Sequence, residues 1–205
     1  MNDETRPPEY FAQAYRGQPA WDVGHAQPAL VEIAPRVAGS VLDVGCGTGD
    51  NAIFFAQRGH MVYGIDVVDE ALARAKAKAA DQGADVCFVR LDALTLNELP
   101  MLFDNVVDCG LFHVFSDEDR PRYVQALAGV LRPGGCLWLL CFSDLEPPGR
   151  GPRRVSLAEL QAAFADGWNV LSITRTRFAT SSHVPPGAFS QGGPHAYLAE
   201  IKRQD

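Results

Sequence analysis

From Ser40 onward the chain alternates short apolar runs with amphipathic or alanine-rich stretches. That pattern predicts successive strand–helix–strand units and a mainly parallel, Rossmann-like doubly wound α/β sheet. SVLDVG (40–45) reads as a first strand and NAIFFAQRG (51–59) as the helix after it, closed by Gly59. MVYGID (61–66) is a second strand, followed by a helix from Glu70 to about Ala80 that Asp69 caps and Gly83 stops. DVCFVRLD (85–92) and FDNVVDCGLF (103–112) are short and apolar enough for buried strands, with an irregular or helical piece from Ala93 to Pro100 between them. The stretch from Asp119 to Leu131 is helical by pattern; RPGG breaks it and CLWLLCF (136–142) follows as a fifth strand. Ser156 and Glu159 have the spacing of a capping box, so a helix starts there and stops near Gly167. WNVLSITRTRF (168–178) and HAYLAEIKR (195–203) alternate apolar and polar positions, as an antiparallel pair at one side of a sheet does.

Three segments fall outside this wound core. They are an N-terminal arm, residues 1–38, ahead of the domain at 39–205; the Pro/Gly/Arg-rich EPPGRGPRR (146–154); and HVPPGAFSQGGP (183–194). Long connections in a compact domain commonly serve as covers, and the aromatic residues of the first and last favour that role here. Tyr10, Phe11 and Tyr15 line such a cover or dock an amphipathic helix, and Arg150, Arg153 and Arg154 offer charge to an acidic group or to solvent. Phe178, His183 and Phe189 are placed to bound an apolar pocket.

Composition narrows the partners. The 205 residues carry 18 basic and 25 acidic side chains, a net charge of -7, the wrong sign for a protein that lives on phosphate backbones. The expectation is no nucleic acid, no membrane and a cytoplasmic location, since no long apolar run occurs and the first ten residues are polar and acidic. Five cysteines form no CxxC pair and no Cys/His cluster with zinc spacing, so no metal is expected. The pattern leaves oligomeric state open.

The chemistry is concentrated in VLDVGCGTGD (41–50). Gly45, Gly47 and Gly49 lie at a strand-to-helix turn, where a ligand needs close backbone approach. The spacing is GxGxG, and Asp50 stands where a dinucleotide's pyrophosphate would sit. With Asp43 beneath the loop, the charge favours a cofactor with cationic groups over one with phosphates. Asp50 reads equally well as a helix cap. Asp66 ends the second strand, where an acid accepts from both ribose hydroxyls, and Asp92 with Ala93 has the donor–acceptor pair to read an adenine edge. Asp108, Cys109 and Gly110 reach the carboxyl edge of the sheet, and His113 follows as a general base, a cap over the cofactor or a packed histidine.

In the order VLDVGCGTGD, GIDVVDEAL, RLDAL, FDNVVDCGLFHVF and LRPGGCLWLL, the chain resembles the class I S-adenosylmethionine-dependent methyltransferases. The resemblance implies S-adenosyl-L-methionine as cofactor and a seven-stranded sheet with an antiparallel last strand. It places Asp43, Gly45, Gly47 and Gly49 about the methionine part, Asp66 at the ribose, and Asp92 with Ala93 at the adenine; Cys46, Val67 and Cys109, beside these positions, are also expected to bind the cofactor. WDVGHAQP (21–28) is similar to a cover segment of the thiopurine, thiol and halide methyltransferase group; Trp21, Asp22, Gln27 and Pro28 carry the match, with Trp21 over the cofactor. Relatives that methylate amide nitrogen carry an Asn/Asp-Pro-Pro-aromatic motif where this chain has DCGL. The expected substrate is therefore a small aromatic or heterocyclic molecule or a thiol, methylated on S, N or O. Two rivals share the loop: a non-catalytic S-adenosylmethionine sensor and a nicotinamide oxidoreductase.

Overall fold

The computed structural model of the chain describes residues 5–204. Seven strands form one sheet: β1 (Val41–Val44), β2 (Val62–Asp66), β3 (Val86–Arg90), β4 (Phe103–Cys109), β5 (Leu131–Phe142), β6 (Trp168–Arg177) and β7 (His195–Arg203). Their order is β3-β2-β1-β4-β5-β7-β6. Every pairing is parallel except those that β7 makes with β5 and β6, so β7 alone runs against the rest.

Burial on both faces explains the near-continuous apolar runs of the central strands. Along β5, Leu137, Leu139 and Cys141 enter one core, while Trp138, Leu140 and Phe142 enter the other. The first core takes Tyr123, Leu127 and Val130 from α5 (Asp119–Val130) and Leu160 from α6 (Leu157–Ala163). The second takes Ala52, Ile53 and Phe55 from α3 (Asp50–Ala56) and Leu72, Ala75 and Ala79 from α4 (Asp69–Asp81). It also takes Ala29, Leu30 and Ile33 of α2 (Pro28–Ile33), so the arm joins the core from Pro28 onward. Only its first part, with α1 (Pro8–Tyr15), lies over the edge of the sheet.

Local signals explain most element ends. The capping box is formed in both directions: Ser156 Oγ accepts from the Glu159 amide at 3.2 Å and Glu159 Oε2 accepts from the Ser156 amide at 2.8 Å. Asp69 is not a cap. The helix already includes it, Val68 holds the cap position without a side-chain bond, and Asp69 instead faces Arg90 at 3.5 Å. RPGG does not separate α5 from the fifth strand. Leu131 pairs with Phe103 directly after the helix, and the register then shifts so that Cys136 meets Asn105, leaving RPGG as a bulge within β5.

Gly49 sets how closely two helices approach the sheet. Its φ is +83°, and a Cβ there would lie 2.8 Å from Phe88 and 2.9 Å from Ala75. Gly49→Ala is expected to destabilise the fold by about 2–4 kcal/mol, from left-handed backbone strain and overpacking together. Urea unfolding without cofactor checks this; an unchanged midpoint would show that α3 and α4 have slack.

Candidate functional site

The strand order reverses between β1 and β4, and crevices at such switch points open at the carboxyl ends of the strands. A cavity of about 480 Å³ lies there, walled by the loops after β1, β2, β3 and β4 and roofed by the three segments that the sequence left outside the core.

The loop after β1 is held in shape by β2. Asp66 accepts hydrogen bonds from the amides of Gly47 and Val68, both at 2.9 Å. Gly47 needs its lack of a side chain: φ is +53°, and a Cβ would meet the Tyr15 hydroxyl at 2.5 Å. Burial raises the Asp66 pKa, and the amides of Val68, Gly47 and Val67 pull it back down. Beside Asp66 the wall is continued by Gly45, Cys46 and Val67, then by Asp92 and Ala93. Asp92 closes its own turn, accepting from the Leu94 amide at 2.9 Å.

Two sequence-predicted residues stand apart from this wall. Asp43 is fully buried below the loop and Gly49 is covered by Phe88 and Ala75; neither lines the cavity. The negative charge expected of Asp43 and Asp50 is also largely absent. No hydrogen bond of good geometry reaches either carboxylate oxygen of Asp43 among the described residues. Burial, with the fields of Asp66, Asp108 and Asp50 behind it, outweighs the pull of the Ala52 amide and pushes its pKa up to about 8. Asp50 is the first residue of α3, not its cap, and Lys78 of α4 donates to it at 2.6 Å. Lys78 also donates to the Thr48 hydroxyl at 2.9 Å, which in turn donates to Asp22 at 2.7 Å. Asp22, Asp50 and Asp66 all line the cavity beside the glycine loop, and of these Asp50 is paired with a cation, leaving Asp66 and Asp22 without one among the described residues.

On the far side, Cys109 at the end of β4 and Gly110 just after it line the cavity, while Asp108 turns away from it. Asp108 is fully buried and accepts from the amides of Leu111 at 2.8 Å and Phe112 at 3.0 Å and from the Tyr123 hydroxyl at 2.9 Å. It therefore acts as the clamp of a tight helical turn, Phe112–Val114, that presents His113. His113 is 6% exposed, edge-on to Phe142 at 5.3 Å and to Phe178 at 6.1 Å, and its Nδ1 accepts from the Phe142 amide at 3.0 Å. Burial, then Arg6 and Arg154, lower its pKa to about 3.

The roof is stitched across the chain. The Gln27 side-chain amide donates to the Ala179 carbonyl at 3.0 Å and accepts from the Ala179 amide at 2.8 Å. The Ser181 amide donates to the Ala20 carbonyl at 2.9 Å. Trp21 sits at the mouth, 42% exposed, donating through Nε1 to the Tyr15 hydroxyl at 2.9 Å. Glu146, unremarked in the sequence, ties two loops together by accepting from the amides of Ser190 at 3.0 Å and His195 at 2.9 Å. Arg153 and Arg154 are not free to bind an acidic ligand: Arg153 pairs with Asp117 and Glu159, and Arg154 donates to the carbonyls of Pro147, Arg150 and Pro152. Arg150 and Arg6 line the cavity.

Asp43 supplies a pH test. The folded chain keeps its proton up to about pH 8, whereas the unfolded chain releases it near the ordinary value of 3.8. The stability this group contributes is full below the lower value and is lost as pH rises to the upper one. Removal of that titration in Asp43→Asn is expected to make its Tm, relative to the parent, rise from about pH 4 to about pH 8 and then level off. A Tm difference that is flat with pH in calorimetric scans would contradict a protonated Asp43.

The methyltransferase domain family matches residues 41–135, from β1 to the bulge of β5. The 2-heptyl-1-hydroxyquinolin-4(1H)-one methyltransferase of Mycobacteroides abscessus is 30% identical, over 96% of this chain and 90% of its own. A probable thiol methyltransferase of Arabidopsis thaliana is 30% identical over 80% of this chain and 74% of its own. A structure solved in work on the conversion of a disulfide bond into a thioacetal group during echinomycin biosynthesis superimposes with a TM-score of 0.83 and 32% identity, covering 97% of this chain and 93% of that one. Sheet order, glycine loop and near full-length similarity agree: the chain belongs to the class I S-adenosylmethionine-dependent methyltransferases.

Proposed function

We propose that the acceptor is a small, largely apolar aromatic heterocycle or thiol, methylated on S, N or O within the cavity beside β4. The carrying observation is the division of the cavity. Its β1–β3 side presents Asp66, Asp92 and the glycine loop, whereas its β4–β5 side presents His113 against Phe142 and Phe178, with Phe115 and Phe189 also in the lining. Aromatic walls favour a flat apolar partner, and the polar groups among them set its orientation. The relatives that act on a hydroxyquinolinone and on thiols point the same way.

The polar side fits the cofactor. Asp66 spends one lone pair of each oxygen on a loop amide, which leaves acceptor capacity for ribose hydroxyls. Gly47 keeps the loop open to a ligand, and Asp92 with Ala93 continues the wall where an adenine would lie. In this assignment Trp21, Gly45, Cys46, Gly47, Asp66, Val67, Asp92, Ala93 and Cys109 hold the cofactor, with Asp43 and Gly49 supporting the loop from below. When bound, S-adenosylmethionine supplies a methyl group activated by a sulfonium. The protein then has to hold the acceptor atom in line and exclude water. The aromatic walls orient the acceptor, and the Gln27–Ala179 clasp keeps the roof closed over it.

A panel of aromatic thiols, hydroxylated heterocycles, phenols and iodide, assayed for S-adenosylhomocysteine, tests this reading. Turnover is expected with members of the first two groups. Iodide as the only substrate turned over, or no product from any aromatic acceptor, would overturn it.

A further inference from the structure

The role of His113 follows from where its two nitrogens go. The Phe142 amide donates to Nδ1 at 3.0 Å, so that nitrogen carries a lone pair and no proton. In a neutral imidazole the proton then resides on Nε2. Nε2 lies on the Gly110 side of the ring, within 3.5 Å of the point where a Cβ on that residue would stand, and both residues line the cavity. The tight turn that carries His113 is clamped by Asp108, and Phe142 and Phe178 pack edge-on against the ring and hold it in this orientation.

We propose that His113 is a fixed, neutral Nε2–H donor that orients the acceptor, and that the enzyme therefore methylates molecules which arrive with their nucleophile already ionised. The inference rests on the methyltransferase reading given above. The class of substrate is the conjugate base of a weakly acidic heteroatom, a thiolate or the oxyanion of an acidic hydroxyl on an aromatic ring, with an oxygen or ring nitrogen placed to accept from His113. No proton is transferred in the step. The acceptor's lone pair forms the new bond to the methyl carbon, the carbon–sulfur bond breaks with its electron pair staying on sulfur, and S-adenosylhomocysteine leaves neutral at that atom.

The surroundings agree. No carboxylate hydrogen-bonds His113 among the described residues, in contrast to the usual arrangement of a histidine base held by an acid. The charged groups that bear on it are cationic, Arg6 from the arm and Arg154 from the 146–154 loop, and both disfavour the imidazolium. The rings against it, Phe142 of β5 and Phe178 just after β6, are phenylalanines. Arg6 and Arg150, which line the cavity, favour an anion there.

Two measurements separate this from a base. In nitrogen NMR of the intact protein, the expected His113 spectrum has the proton on Nε2 and no change between about pH 5 and 9. A proton on Nδ1, or titration near neutrality, would overturn the proposal. In steady-state kinetics with a series of ring-substituted thiophenols, His113→Ala is expected to raise KM about tenfold or more, from loss of one donor, with kcat within about threefold of the parent. His113→Gln supplies both an acceptor for the Phe142 amide and an N–H for the substrate, and is expected to recover most of the loss. Across the series, kcat/KM should follow the ionisation of each thiophenol in all three proteins. A kcat loss of about a hundredfold or more in both variants, with no recovery in Gln, is the signature of a base and would contradict the donor role. Cofactor titration distinguishes the two failures: S-adenosylhomocysteine binding with base-like kinetics defeats this inference alone, and absence of binding defeats the reading on which it rests.

Discussion

The carboxylate of Asp66 holds the site together. It stands at the end of β2 and accepts from Gly47 in the loop after β1 and from Val68 at the start of α4, so one side chain fixes the relation of two neighbouring crossover connections. Both bonds are charge-assisted, and they are made in a largely buried place where an unpaired carboxylate would be costly. Gly47 in turn accommodates the Tyr15 hydroxyl, which receives the Trp21 indole N–H. Through that chain of contacts the glycine loop, the second strand and the arm share a single geometry.

Charge around the loop is managed more tightly than the count of acids suggests. Four aspartates, Asp22, Asp43, Asp50 and Asp66, gather near one strand end in a chain of net charge -7. Like charges so close would oppose folding, and each is handled differently. Asp43 keeps its proton, Asp50 is paired with Lys78, Asp22 accepts from Thr48, and Asp66 is held by backbone amides. The preference for a cationic cofactor therefore cannot rest on Asp43 and Asp50. It rests on Asp66 and Asp22, with the uncharged walls of the glycine loop.

The fold was legible because burial on both faces writes itself into apolar run length, and because the Ser156–Glu159 box and the strand-to-helix glycines are local features. The alternation in the last two segments likewise announced β6 and β7. The roles of individual site residues were less legible, since they depend on contacts between distant parts of the chain. Lys78 lies in an alanine-rich helix and gave no sign that it crosses to Asp50. Gly49 shared the loop's spacing with Gly45 and Gly47, yet its lack of a side chain serves Phe88 and Ala75. Arg153 and Arg154 face neither a ligand nor solvent alone, because Asp117, Glu159 and the loop carbonyls, which no local pattern brings near them, take up their donors. The tautomer of His113 is set by a backbone amide 29 residues away, which no local pattern encodes.

The most direct test of the account is calorimetric titration of S-adenosylhomocysteine into the parent protein and into Asp66→Asn. The substitution keeps the shape of the side chain but removes its charge and one acceptor. If Asp66 both shapes the loop and receives the ribose, affinity falls by about tenfold to a hundredfold, the size of one or two charge-assisted hydrogen bonds. Affinity unchanged within about twofold would contradict the central place given to this carboxylate.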